Sequence, residues 1–165
     1  MKSMPIRDAE EGDLPGILAI YNEVVATSAA IYADDPSTLA ERREWWRERR
    51  ARNFPVLVAV DAKGVAGFSS FGDFRAFPNY RHTVEHSVHV RSDMRGRGVG
   101  AALVEALFPY ALALQKHVMV GGIDAENAVS LRMHERLGFE RVAYMPEVGH
   151  KFGRWLDLIF VQKRF

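Results

Sequence analysis

Val88-His89-Val90-Arg91-Ser92-Asp93-Met94-Arg95-Gly96-Arg97-Gly98-Val99-Gly100-Ala101 reads as the end of a strand, a short polar loop and three alternating glycines that open an apolar-periodic helix. Such a turn aims backbone N–H groups and the positive end of a helix dipole at one point. That point is an anion site, and a pyrophosphate suits it. Glycine is needed because a side chain would hold the phosphate away from the backbone. Arg95 and Arg97 add positive charge where the anion would sit.

Known phosphate loops narrow the choice. A nucleoside-triphosphate loop ends Gly-Lys-Ser/Thr, whereas Gly100 is followed by Ala101, Ala102 and Leu103. A dinucleotide loop tolerates Ala101 at its third glycine position but normally follows the first strand of a domain, and here more than half the chain precedes it. Arg95-Gly96-Arg97-Gly98-Val99-Gly100 fits, at every position, the Arg-Gly-x-Gly-x-Gly/Ala loop that cradles the pyrophosphate of acetyl-CoA.

Outward from the loop, the pattern is regular. Ile6–Ala9 reads as a short strand. Asp13 caps a helix with an apolar stripe at Leu14, Ile17, Leu18, Tyr21, Val24 and Val25. Thr38 and Glu41 form a capping box for a helix to about Arg52. Val56–Val60 and Val65–Phe71 flank the turn Asp61-Ala62-Lys63-Gly64. An aromatic loop, Gly72–Tyr80, leads to a strand from about Arg81 to Val90. The helix after the glycines runs to about Leu114, His117–Ile123 is a strand, and Ala128–Leu137 is a helix capped by Gly138. Phe139–Met145 and Trp155–Gln162 close the chain as antiparallel strands. The order β-α-α-β-β-β-α-β-α-β-β predicts an α/β fold with a mixed, mostly antiparallel sheet flanked by helices.

With 165 residues the chain is expected to form one domain with one good core. Lysine and arginine (22) nearly balance aspartate and glutamate (21), so bulk charge does not argue for nucleic acid or membrane. The run from Glu41 to Arg52 interleaves arginine with acids and reads as a solvated helix face. No cysteine is present, which excludes a disulfide, a thiolate zinc site and a cysteine acyl-enzyme. His86 and His89 alternate across a strand, so no metal chelate is expected. A cytoplasmic protein is expected, with Met4 a candidate start and residues 1–3 an extension.

The element order and the glycine loop resemble the GNAT superfamily of N-acetyltransferases. Asn127, Ser130, His134, Gly138 and Phe139 match that superfamily's Asn-x-x-Ala/Ser-x-x-x-Tyr/His-x-x-x-Gly-Phe segment. Thr83–Val90, Arg132–Phe139 and Gly149–Asp157 are similar to the phosphinothricin and methionine sulfone/sulfoximine acetyltransferases, more densely in the second half of the chain than over Ala26–Arg52. The resemblance implies acetyl-CoA as cosubstrate, a small amino-acid-like amine as acceptor, direct transfer and a homodimer. Another amine (polyamine, antibiotic or protein N-terminus) or a non-catalytic acyl-CoA sensor are the alternatives.

Alternation puts Glu85, Ser87 and His89 on one strand face and His86 and Val88 on the other. The resemblance implies Glu85 as the base that deprotonates the amine; the plainer reading is a carboxylate that only pairs with the ammonium. His134 stands where many members place a tyrosine that protonates the leaving thiolate; it either takes that role, bonds the cofactor, acts as base, or packs at the core edge. Val88, His89 and Val90 are expected to offer backbone groups to the pantetheine, with Val88 N–H polarising the thioester carbonyl. Arg95, Gly96, Arg97, Gly98, Val99, Gly100 and Ala101 are expected to hold the pyrophosphate, and Asn127 and Ser130 to lie along the pantetheine. Arg75 is expected to grip the substrate carboxylate. Phe74, Phe77 and Tyr80 are expected to wall its pocket, with His86 and Ser87 beside Glu85. Lys151 and Phe152 are expected at the substrate mouth, Ile31 or Tyr32 as its cap, and Trp155 as structural.

Overall fold

The computed structural model describes residues 4–165; the proposed extension, residues 1–3, lies outside the described residues. Seven strands form one sheet in the order β1-β2-β3-β4-β5-β7-β6. They are β1 (Ile6–Asp8), β2 (Val56–Asp61), β3 (Gly64–Asp73), β4 (Thr83–Val90), β5 (Val118–Asp124), β6 (Glu140–Lys151) and β7 (Arg154–Arg164). The β4–β5 pair is parallel and the others antiparallel. Helices α1 (Leu14–Thr27) and α2 (Leu39–Ala51) cover one face, α3 (Val99–Glu105), α4 (Phe108–Ala113) and α5 (Ala128–Arg136) the other.

Strand alternation sorts two cores onto these faces. Val56, Val58 and Phe68 pack with Ile17, Ile20 and Trp46 under α1 and α2. Leu57, Ala59, Phe71, Val84 and Met119 pack with Leu103, Leu107, Leu131 and Phe139 under α3 to α5. No helix among the described residues is long and apolar enough to cross a membrane.

The predicted order holds, with three local corrections. The helix after the glycine loop is two helices, because Pro109, in the first turn of α4, has no N–H to continue the ladder from α3. Asp13 precedes α1 but makes no side-chain cap: Arg7 draws its carboxylate away with bonds of 2.7 and 3.0 Å, and Glu10 N–H adds a third of 2.8 Å. Strand β6 continues past Met145 to Lys151 through a bulge at Pro146–Val148, where Asp157 accepts from Glu147 N–H at 2.8 Å. The Thr38–Glu41 capping box and the left-handed Gly138 (φ +89°) stand as read.

The site-forming feature is a split in the sheet. Strand β4 pairs with β3 along its whole length, to Val90, and β5 pairs with β7 to Asp124. Between β4 and β5, pairing stops at Glu85 and Val120. Beyond that point the two strands diverge, leaving one edge of β4, residues 86–90, without a strand partner.

Candidate active site

The split opens into a cavity of about 370 Å3. Its walls come from β4 (Glu85, His86, Ser87, Val88, His89), the end of β5 (Gly121 to Asp124), α5 (Asn127, Ser130, His134), the loop after α1 (Ala30, Ile31) and helices α1 and α2 (Tyr21, Arg42, Trp45). Asn127, Ser130 and His134 reach it together because positions i, i+3 and i+7 share a helix face.

Glu85 is half-buried, and that burial raises its carboxyl above the ordinary carboxylate range. His89 stacks on Phe68 at 5.5 Å on the same strand face. Burial, with Arg95 and Arg42 nearby, depresses its imidazole to about 4, so it is neutral at physiological pH.

His86 points to the opposite face, yet the split lets it line the same cavity. Its Nδ1–H donates to Val120 O at 2.9 Å, and its ring occupies the place a Cβ at Gly121 would need, 2.5 Å away. His134 donates Nδ1–H to Ser130 O at 2.7 Å, with Ser130 Oγ 3.4 Å away. The two Nε2 atoms then face each other at 2.8 Å. Carbonyls only accept, so both Nδ1 atoms carry hydrogen, and a bond between the Nε2 atoms needs one further proton shared by the rings. Burial lowers both imidazoles, and the His134 ring further opposes charge on His86. A proton taken up between the two Nε2 atoms is therefore held loosely, and the pair that would pass it on lines the cavity.

The glycine loop is open. Gly96 (φ +73°) and Gly98 (φ +80°) take left-handed conformations, and nothing lies within 4 Å of where a Cβ would sit. Gly98 directly precedes α3, whose first residues are Val99, Gly100 and Ala101. Arg97 is exposed there. The Arg95 side chain is a correction: it turns to α1, pairing with Glu23 at 2.8 Å and donating to Val90 O at 3.1 Å. Asn127 is partly committed too, since its Oδ1 caps α5 through Ser130 N at 3.1 Å.

The structure does not bring Arg75, Phe77 and Tyr80 to the cavity wall. They lie on the β3–β4 connection, which precedes Thr83, where β4 and β5 are still paired and the sheet is closed. Phe74 packs on Tyr80 and Phe160, Arg75 lies over Phe74, and Phe77 is 73% exposed. Lys151 is buried rather than at the mouth, its Nζ bonded to three carbonyls. Phe152 is exposed at the β6–β7 turn, and Trp155 is 65% exposed beside His150, not in a core. Ile31 lines the cavity as expected, while Tyr32 donates its hydroxyl to Asp124 at 3.0 Å.

Residues the sequence reading missed are Tyr21, Arg42, Trp45 and Asp124. Arg42 and Trp45, three apart on α2, share a face that the run's alternating charges disguise. Two tryptophans inside an Arg/Glu helix were the available signal of an inward side.

The model of the acetyltransferase (GNAT) family matches residues 17–139. The chain belongs to the GNAT family. Among relatives, the L-methionine sulfoximine/L-methionine sulfone acetyltransferase of Pseudomonas aeruginosa is 53% identical over 161 residues, covering 97% of this chain and 94% of that one. Among solved structures, a ribosomal-protein-alanine N-acetyltransferase from Brucella melitensis superposes with a TM-score of 0.96 at 44% identity, covering 98% of this GNAT chain and all of that one. A phosphinothricin acetyltransferase from Sinorhizobium meliloti in complex with acetyl-CoA gives 0.94 at 34% identity, covering 98% and 88%. The split sheet and the glycine loop are thus those of an acetyl-transferring family.

Proposed function

We propose that this chain is an acetyl-CoA-dependent N-acetyltransferase that modifies the α-amino group of small amino-acid analogues of the methionine sulfone, methionine sulfoximine and phosphinothricin type. The observation that carries the reading is the split between β4 and β5, which joins an unpaired strand edge and an open glycine loop to a cavity with Glu85 on one side and His134 on the other. The names of the Pseudomonas and Sinorhizobium relatives support the substrate class. The Brucella relative's name points to a protein terminus instead. A cavity of about 370 Å3 suits a small molecule better than an extended chain.

Acetyl-CoA, when bound, supplies the acetyl group as a thioester. In this reading the free edge of β4 from Val88 to Val90 receives the pantetheine amides as a half-strand. The loop Arg95–Ala101 receives the pyrophosphate through backbone N–H groups and Arg97. Glu85, whose carboxyl is raised above the ordinary carboxylate range by burial, accepts one proton from the substrate ammonium. Val88 N–H polarises the thioester carbonyl while the C–N bond forms and the C–S bond breaks. The second proton, lost from the nitrogen as the amide forms, passes through the His134–His86 pair to the departing sulfur, and the proton on Glu85 returns to solvent. Ser87 and His89 line the approach, and Asn127 and Ser130 hold the His134 side of the channel. The reading places the chain, as one acetyltransferase domain, in the cytoplasm, where acetyl-CoA is available.

Thiol release from acetyl-CoA is the test, with methionine sulfone, methionine sulfoximine and phosphinothricin beside spermidine and a peptide amine. Saturable release with the amino-acid analogues alone is expected. Release only with spermidine or the peptide overturns the substrate class. Acetyl-CoA binding without release from any amine overturns the enzyme in favour of a sensor.

A homodimer is part of the same reading. Strand β6 forms the sheet's outer edge, and the β6–β7 hairpin exposes Val142, Tyr144, Val148 and Trp155. An apolar edge of this kind favours a partner. Sedimentation of the wild type as a dimer and of Trp155→Asp as a monomer is expected; a wild-type monomer at micromolar concentration overturns it.

A further inference from the structure

The side chains of Arg42 and His89 take no part in the chemistry described so far, yet both line the cavity. Arg42 projects from α2, with its guanidinium over the Tyr21 ring at 4.2 Å and near the Trp45 ring at 5.1 Å. Its Nε donates to Ser37 Oγ at 3.1 Å, while its terminal nitrogens meet no acceptor among the described residues. Burial disfavours the Arg42 charge, so the fold holds a donor fork in a partly dry place with its outer N–H groups unmatched. His89 stands on β4, stacked on Phe68, and its ring nitrogens likewise bond to no described residue. Burial, Arg95 and Arg42 keep that ring neutral, so it offers one N–H and one lone pair to whatever enters. Trp45 meets Phe68 edge-on at 6.2 Å, which leaves aromatic rings around the two donors.

Strand register orders these groups. Glu85 pairs with Gly72, and the β3–β4 connection that carries Arg75 departs beyond that pair. His89 lies the other way along β4, on the same face as Glu85 and about 13 Å further on. An amine held at Glu85 therefore has the β3–β4 connection, where Arg75 is expected to meet the α-carboxylate, at one end. At the other end it has Arg42 and His89. The Glu85 and His89 side chains both reach into the interval between them, and a methionine-length chain spans what is left.

We infer that Arg42 and His89 form the subsite for the oxygen atoms on the substrate's side chain, a role that rests on the function proposed above. Sulfone, sulfoximine and phosphinate share the chemistry it fits: oxygen acceptors on a sulfur or phosphorus at the end of a short apolar chain. The chain packs among Tyr21, Trp45 and Phe68, and the oxygens meet the guanidinium and the imidazole N–H. Methionine has the chain without the oxygens. Its thioether is a weak acceptor, so its binding leaves the Arg42 nitrogens cut off from water with no partner. The subsite thus accepts an oxidised sulfur and turns the ordinary amino acid away.

The test compares methionine sulfone with methionine, the same amino acid without the sulfur's oxygens. Thiol release from acetyl-CoA is followed on wild type, Arg42→Met, Arg42→Lys, His89→Phe and Arg75→Gln, and thermal melts confirm that each variant is folded. Wild type is expected to prefer the sulfone by at least about 100-fold in kcat/KM, since a site built of hydrogen-bond donors rejects the analogue lacking the acceptors. Arg42→Met raises KM for the sulfone roughly 100-fold with kcat within about 3-fold, and leaves kcat/KM for methionine unchanged or higher. His89→Phe lowers the preference roughly 10-fold. Arg42→Lys, the milder change should Arg42→Met not fold, keeps the charge but not the fork and loses part of the preference. Arg75→Gln leaves the ratio at the wild-type value whatever it does to either rate, because both compounds carry the α-carboxylate. Equal losses on both compounds in the Arg42 and His89 variants make these packing residues and overturn the inference. A ratio that falls in Arg75→Gln alone moves the oxygens to the β3–β4 connection and also overturns it. Wild type that uses methionine as well as the sulfone overturns the subsite but leaves the proposed function standing; wild type that releases thiol with neither, only with spermidine or a peptide amine, sinks both.

Discussion

Glu85→Gln lowers kcat/KM by roughly 10²–10⁴-fold in the proposed mechanism, the range over which a positioned base contributes. Gln keeps the shape and the hydrogen-bonding reach but cannot take the ammonium proton. The same change raises stability at neutral pH. Burial lifts the Glu85 pKa above its ordinary 4.5 in the folded state, so the folded chain favours the protonated acid. The contribution of that protonated acid is fully present below the unfolded pKa and is lost as pH rises through the folded one. Gln mimics the protonated form at every pH. Melts of the two proteins therefore coincide near pH 4 and separate as pH rises, with the variant the more stable. The acidic limb of the wild-type pH–rate profile lies above the usual carboxylate range and is missing from the variant's residual rate. Near-wild-type turnover, or a variant less stable by the same amount at all pH values, rules out a buried base at this position.

Sequence periodicity carried the fold well because each element announces itself locally. The Thr38–Glu41 box, the alternation of β4 and the glycines before α3 all report backbone geometry that neighbouring residues determine. The site was legible only where one element supplies it. Glu85, Ser87 and His89 share a strand face, and Asn127, Ser130 and His134 share a helix face; both sets line the cavity. What no single element reports is how elements diverge or meet. His86 and Glu85 point to opposite faces, and only the end of pairing at Val120 lets both reach one space. The contact of His86 with His134 spans 48 positions, and no local signal encodes it. Arg75, expected to grip the substrate carboxylate, lies on a connection that enters β4 where β4 and β5 are still paired. Arg42 was hidden by its neighbours: alternating charges look solvated until the aromatic partners on α1 and α2 are seen to turn one arginine inward. Arg95 shows the reverse case, a loop arginine expected at the anion site that Glu23 of α1 claims.

Lys151→Met destabilises the fold by about 3 kcal/mol, the scale for removing a buried charged donor from several acceptors. Lys151 ends β6 and is 2% exposed. Its Nζ donates to Val25 O at 2.8 Å, Ser28 O at 2.7 Å and Ile31 O at 2.8 Å. These carbonyls belong to the last turn of α1 and the loop beyond it, where a cation also meets the negative end of the helix dipole. Nearby, the Tyr32 ring lies against Gly149, so close that a Cβ there would be 2.5 Å from Cε2, and its hydroxyl reaches Asp157 O at 3.2 Å as well as Asp124. The closing hairpin therefore holds in place the loop that presents Ala30 and Ile31 to the cavity. Met has nearly the same length but no donor, so the three carbonyls must turn to water, and the loop moves with them. The kinetic consequence is asymmetric. KM for the amino-acid substrate rises by roughly 10-fold, and KM for acetyl-CoA stays within about 2-fold, because the Lys151 bonds run to the end of α1 and to the loop that carries Ile31. Urea melts and the two KM values measure the effects separately. Equal rises in both KM values would mean a general loosening of the fold; a stable variant with unchanged kinetics would mean that Tyr32 holds the wall without the lysine. The same hairpin exposes the apolar edge proposed for the dimer, so a partner seated there would press on the residues that set the substrate wall.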